Sequence, residues 1–175
     1  LNPLLEEAIE ESTSTLKDSL GTTVGGGVFD VYASKASAQA CLGGQAFLGR
    51  SMVRFGLEGQ YCKDIDGFWN SRTWFVEPFV GVDAYVDTAL MGLQIGLGYG
   101  HLSESTRGYT AHYLPIRPQV HLTVPTDHVA FELAFYGMLP VPVRQAVEGE
   151  RYSGGWFPWF GLELSVVVGD FRQLR

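Results

Sequence analysis

Residues 89–100, Ala-Leu-Met-Gly-Leu-Gln-Ile-Gly-Leu-Gly-Tyr-Gly, constrain the fold more than any other stretch. The odd positions Met91, Leu93, Ile95, Leu97 and Tyr99 are large and apolar, and the even ones are glycine or glutamine. That period of two is the signature of a strand. In a water-soluble sheet the second face carries Lys, Glu, Thr or Ser. Here it is nearly bare, which suits a narrow barrel interior where side chains from every direction share little room. The apolar face is therefore expected to point outward to lipid, and the Gly/Gln face inward.

Composition agrees. The chain has 175 residues, 18% of them charged, 22 glycines and 13% aromatics, with a mean hydropathy of +0.06. This is one domain, apolar for its size. No run of about 18 apolar residues is present, which excludes a transmembrane helix but not a barrel, whose lipid-facing residues are every second one. A net charge of -7 and the lack of a basic cluster argue against nucleic acid as a partner. With no leader-like basic and apolar run and no initiating Met, the chain reads as a processed form.

Residues 1–21 differ in kind from the rest. Asn2 and Pro3 supply an N-cap and a first-turn proline, and Glu6, Glu7, Glu10 and Glu11 suit a helix N-terminus. Leu5, Ile9, Leu16 and Leu20 form an apolar stripe at helical spacing. An amphipathic, acidic helix is expected, ending near Gly21, with its stripe packed on the barrel rim or on a partner protein.

Eight strands are expected over residues 22–175. The first covers about 22–33, with Phe29, Val31 and Ala33 outward and Val28, Asp30 and Tyr32 inward. The second, 38–48, sends Leu42 and Leu48 outward and Gln39, Cys41 and Gln45 inward. The third, 51–62, alternates Val53, Phe55, Leu57 and Tyr61 with Arg54, Gly56, Glu58 and Gln60. The fourth, 74–86, sets Val76, Val80 and Val82 against Glu77, Gly81, Asp83 and Tyr85. The opening stretch is the fifth. The sixth, 109–124, opposes Leu114, Val120 and Leu122 to Arg117, Gln119, His121 and Thr123. The seventh, 129–139, opposes Phe131, Leu133 and Phe135 to Glu132 and Tyr136, and the eighth, 156–171, opposes Leu162, Leu164 and Val166 to Gly161, Glu163 and Ser165.

Hairpins must pair outward residues with outward residues. Ala33 with Ala38, Leu48 with Ser51, Val86 with Ala89 and Val124 with Val129 all do so. Connections after the second, fourth and sixth strands are short, and those at 62–73, 101–108 and 140–153 are longer. Short turns on the inner side and long loops outside are the outer-membrane habit, which places both termini in the periplasm. Trp74, Tyr99, Tyr109 and Trp156 near the long loops, and Phe29 and Phe171 at the other rim, fit interfacial girdles.

On this alternation, loop asymmetry and terminal aromatic Phe171, residues 22–171 resemble the small eight-stranded outer-membrane barrels of the OmpA and OmpX type. The family more often ends at the aromatic, whereas here Arg172–Arg175 follow. The resemblance implies an all-β, up-and-down transmembrane β-barrel in a bacterial outer membrane, part of the cell envelope.

The inward face collects Arg54, Glu58, Glu77, Asp83, Arg117, His121, Glu132 and Glu163. In so narrow a lumen, opposite charges are expected to pair into a polar plug, the alternative being a gated ion or proton path. His101 and Ser103 share the outward face, with Glu104 adjacent. The pair resembles the His-x-Ser arrangement of outer-membrane lipid A deacylases, in which His activates Ser and a carboxylate orients the imidazole. The two-residue turn after Leu48 would set Cys41 opposite Glu58, about four residues or roughly 13 Å from Cys62, so free thiols are expected, a bridge needing a bulge. No metal-ligand spacing and no cofactor fingerprint is present.

The leading expectation is a non-enzymatic integral membrane barrel, serving as an anchor or subunit of a cell-envelope protein complex. It would contact outer-membrane lipid and a protein partner in the periplasm or membrane. The alternatives are a lipid A deacylase-like hydrolase using His101, Ser103 and Glu104, and a soluble lipocalin-like barrel that binds a ligand.

Overall fold

The computed structural model describes residues 21–27, 39–50, 52–65, 70–154 and 158–169. The strands are β1 (Gly21–Gly27), β2 (Gln39–Arg50), β3 (Val53–Asp64), β4 (Ser71–Val86), β5 (Ala89–Leu97), β6 (Tyr99–Glu104), β7 (Tyr109–Pro125), β8 (Val129–Val147), β9 (Glu150–Arg151) and β10 (Trp159–Val168). Every pairing between them is antiparallel. Strands β5 and β6 are two halves of one stave, parted at Gly98, and both lie between β4 and β7. The short β9 extends the edge of β8.

Counted this way there are eight staves. Each is hydrogen-bonded on both sides, with β1 joined to β2 on one edge and to β10 on the other. The pairings β10–β8, β8–β7, β7–β5/β6 and β5/β6–β4 complete the round. Among the described residues no stave of this ring is left as a free edge, the short β9 alone being paired on one side.

Burial alternates along the staves, with the sense inverted relative to a soluble protein. Along β5, Met91, Leu93, Ile95 and Leu97 are exposed while Gly92, Gln94 and Gly96 are buried. Among the described residues, 18 buried side chains are polar or charged and only 11 are hydrophobic. Leu93 is 59% exposed and Phe131 60%, whereas Arg117 and Glu77 are 0% exposed. Soluble folds do the reverse with large apolar side chains. The outward apolar face from Ala89, half-buried, through Met91 to Tyr99, exposed, spans ten residue steps. At about 3.3 Å per residue and a tilt of about 45°, it covers a band roughly 23 Å tall, close to a barrel's lipid-facing zone.

Two glycines show why the inner face is bare. A Cβ on Gly92 would overlap Asp83 and His121, and one on Gly96 would overlap the Glu77 carboxylate. These positions are empty because long charged side chains from neighbouring staves occupy the space.

Several expectations are corrected. Strand pairing between β2 and β3 runs up to Arg50 and Val53, two residues further along β2 than expected, so Leu48 faces Phe55 and Cys41 faces Cys62. The two cysteines form a disulfide rather than free thiols. The cause is that strand pairing continues through Gly49 and Arg50 instead of breaking there. Likewise Val124 pairs with Phe131, not Val129. There Thr126 holds the turn, its amide donating to the Val129 carbonyl at 2.7 Å. The Val86–Ala89 hairpin is found as expected.

The expected loops 101–108 and 140–153 are largely strand. Strands β6 and β7 pair up to Glu104 and Tyr109, and β8 runs on to Val147 despite Pro140 and Pro142. Glu148 and Gly149, both with positive φ (51° and 86°), make the two-residue turn into β9, the backbone that favours a tight hairpin. Tyr85, expected inward, is 43% exposed near the end of its stave. The expected helix with Leu5, Ile9, Leu16 and Leu20, the Ala33–Ala38 hairpin, and Phe29, Trp156 and Phe171 lie outside the described residues. Gly21, expected at the helix end, is the first residue of β1.

Candidate functional site

The lumen is filled in layers. Nearer the tight turns, Arg54 on β3 reaches across to β8, where Nη1 donates to Glu132 Oε2 at 2.9 Å. Its Nε lies 3.7 Å from Asp83 on β4, and its Nη2 lies 2.7 Å from His121 Nδ1 on β7. A guanidinium can only donate, so His121 Nδ1 accepts and its Nε2–H donates to Asp83 at 2.7 Å. Gln45 and Thr123 donate the remaining bonds to Glu132, at 3.2 and 2.8 Å. The rings of Phe47 and Phe79 flank the Arg54 guanidinium at 5.1 and 6.0 Å.

The second layer is centred on Arg117 of β7. Its Nε pairs with Glu77 at 2.5 Å, its Nη1 with Glu163 at 3.4 Å, and its Nη2 with Glu58. Three carboxylates from three staves thus share one fork of five N–H donors, a task suited to arginine. Gln60 ties two of them together, donating to Glu58 at 2.8 Å and Glu163 at 2.9 Å. Ser165 donates to the other Glu163 oxygen at 2.8 Å. Phe75 and Tyr136 stack about the guanidinium at 5.3 and 4.8 Å.

Beyond Arg117 the lumen turns apolar. Phe75, Tyr113, Tyr136 and Met138 form a buried cluster against Leu102 and Trp159, and the Cys41–Cys62 disulfide packs on the same Trp159. All eight residues singled out for the lumen, Arg54, Glu58, Glu77, Asp83, Arg117, His121, Glu132 and Glu163, therefore meet in two clusters. Their glutamine, hydroxyl and aromatic partners were not singled out, although inward alternation marks Gln45, Gln60, Thr123 and Ser165. Which of these meet depends on register, which alternation does not give.

The outer face carries a girdle where the apolar band ends. Trp74 packs on Tyr99 and His101, with ring centroids 5.8 and 6.0 Å apart. His101 and His112 lie 4.6 Å apart, and Tyr99 Oη is 2.5 Å from His112 Nδ1. His101 and Ser103 both stand on this outward side, in register with Trp74 and Arg72 of β4. No hydrogen bond links His101 to Ser103 among the described residues, and His101 Nδ1 is buried without a partner. Glu104 lies on the opposite face by alternation, facing the buried Ser71, and accepts the Arg107 N–H at 3.0 Å. The three residues are thus not assembled into a relay. No group of three or more metal-ligating side chains is present among the described residues.

No family model matches the chain, and no curated protein matches it. Among solved structures, the chain is similar to the crystal structure of Neisserial surface protein A, an outer-membrane eight-stranded β-barrel. The match has a TM-score of 0.61 at 11% identity, and covers 86% of this chain and 97% of that one. At this identity the likeness is one of fold.

Proposed function

We propose that this chain is a non-enzymatic integral barrel of a bacterial outer membrane, with both termini periplasmic, serving as an anchor or subunit of a cell-envelope assembly. The observation that carries the membrane reading is the inverted distribution of side chains among the described residues: an apolar exterior around a polar, ion-paired interior. Such an exterior would aggregate in water and is satisfied by lipid. The filled lumen favours a structural role over a conduit, because Arg54 and Arg117 with their carboxylates occupy the space an ion would need. What remains for contact with other molecules is the pair of projecting hairpins and the N-terminal segment with its apolar stripe.

The purified chain should require detergent, give a β-type circular-dichroism spectrum, and migrate differently on a denaturing gel before and after heating. Proteoliposomes containing it should swell in sugar solutions no faster than empty ones. A detergent-free soluble monomer would overturn the membrane reading, and rapid swelling would overturn the closed lumen. For the assembly role, the chain extracted from its native membrane should sediment as a larger species that shrinks to a monomer when residues 1–20 are deleted. A monomer in both cases would leave an anchor without an assembly.

A further inference from the structure

The register of the staves above the girdle brings together residues that are far apart in sequence. Lys63 faces Arg72, Arg72 faces Ser103, Ser103 faces Thr110, Thr110 faces Ala146, and Ala146 faces Arg151. Directly opposed residues of an antiparallel pair share one face of the sheet. All six therefore lie in one row on the outer surface, two residues beyond the row that contains Trp74, His101, His112 and Arg144. Among the described residues neither row contains an acid. The protein as a whole has a net charge of -7, yet four cations sit exposed in these two adjacent rows, Lys63, Arg72 and Arg151 in one and Arg144 in the other. The tight turns at the opposite end expose Asp87 and Asp127, while at the collar end Glu148 and Glu150 are exposed in the β8–β9 hairpin, outside the two rows.

None of the four cations forms an ion pair with another described residue. Lys63 directly opposite Arg72 is a like-charged cross-strand pair, a destabilising arrangement unless an anion sits between them. Arg151 stands about four strand spacings, roughly 19 Å, round the wall from Arg72, and Arg144, in the adjacent row on β8, about three spacings or roughly 14 Å; the two make a second, diagonal cation pair. The hydroxyls of Ser103 and Thr110 lie between the two pairs, offering further donors. Arginine forks, an ammonium and hydroxyls are the donors that bind phosphate oxygens. Below them the apolar band and the Trp74–Tyr99 girdle provide the surface along which acyl chains would lie.

We propose that this collar binds the phosphate groups of anionic lipids in the leaflet that surrounds the barrel, with a bisphosphorylated glycolipid headgroup able to span both cation pairs. The proposal rests on the membrane-barrel reading, and its occupant is a lipid headgroup rather than free phosphate. Attraction to phosphates near the membrane surface would be felt by each of the four cations.

The test uses the full chain in phosphatidylcholine nanodiscs doped with bisphosphorylated lipid A or with its chemically dephosphorylated counterpart, and reads bound lipid by native mass spectrometry. The phosphorylated form should be retained at least about tenfold more strongly. That preference should vanish in a Lys63→Gln, Arg72→Gln, Arg144→Gln, Arg151→Gln variant and also in a smaller Lys63→Glu, Arg72→Glu variant, and persist in Glu148→Gln. Heat-modifiability of each variant shows that its barrel is folded, and the smaller variant serves if the larger one does not fold. Equal retention of the two lipids, or a preference that survives both variants, would overturn the proposal. Displacement of the lipid by millimolar inorganic phosphate would overturn its lipid source. A chain that never enters the nanodisc would instead refute the membrane reading.

Discussion

Arg117 should be the single most consequential side chain in the lumen. Replacing it with Met keeps a chain of similar length between the rings of Phe75 and Tyr136, so the cavity left is small. The change leaves Glu58, Glu77 and Glu163 converging on a site with no cation. All three are at most 3% exposed. Removing one partner of a buried ion pair costs about 3–5 kcal/mol, most of it the penalty of the charge left behind. Three orphaned carboxylates put Arg117→Met at the upper end of that range. For a chain of this size 1 kcal/mol moves a midpoint by about 2–4 °C, so the folded band on an unheated gel should be lost roughly 10 °C or more earlier. The same measurement identifies the cause. Adding Glu58→Gln, Glu77→Gln and Glu163→Gln to Arg117→Met removes the unpaired charge and should restore most of the loss, whereas Arg117→Lys, with three donors and no planar fork, should fall between. If Arg117→Met costs less than about 1 kcal/mol, or the fourfold variant is no better than the single one, the plug does not hold the barrel together as argued.

The Cys41–Cys62 bridge closes a loop of 21 residues, so Cys41→Ser with Cys62→Ser should lower stability by roughly 3 kcal/mol in urea; two titratable thiols in the unreduced, denatured chain would refute the bridge. Gly92→Val should abolish refolding into detergent micelles because Asp83 and His121 occupy the space. Gly59→Ala, whose new Cβ meets nothing closer than 3.7 Å, should refold normally, and equal yields of the two would contradict the crowded lumen. Leu93→Arg, on the outward face, should cost about 2–4 kcal/mol in phosphatidylcholine vesicles. A neutral or favourable effect there would mean that this face meets water.

Alternation was readable because it depends on one bit per residue, and it placed most side chains on their correct face. Leu57, Leu93 and Leu133 are outside, while Glu58, Gln94 and Glu132 are inside. Register was not readable, and the hairpin argument shows why. Moving the β2–β3 reversal from Gly49–Arg50 to beyond Arg50 changes each cross-strand partner by four residues, an even number that leaves every inside–outside assignment untouched. A parity test passes equally for the wrong register and the right one. The same shift of four turns Cys41 from a partner of Glu58 into a partner of Cys62, so the disulfide was lost to an error that the test could not see.

The prolines misled in a related way. Pro140 and Pro142 signal the end of a strand when sequence is read locally, yet Pro140 faces Pro115 and Pro142 faces Tyr113 in a continuous ladder. A proline removes only its own N–H from the ladder, and in β8 a bulge beside His112 takes up the irregularity. Without the extension beyond Pro142, Arg151 would not come level with Arg72 and Lys63, nor would Arg144 stand in the row beside them, and the outer collar would not exist. The sequence thus showed which residues face outward and which face the lumen. The grouping of the two arginine clusters and of the cationic rows depends on where each turn falls, and a displacement of two residues there reassigns every partner across that hairpin.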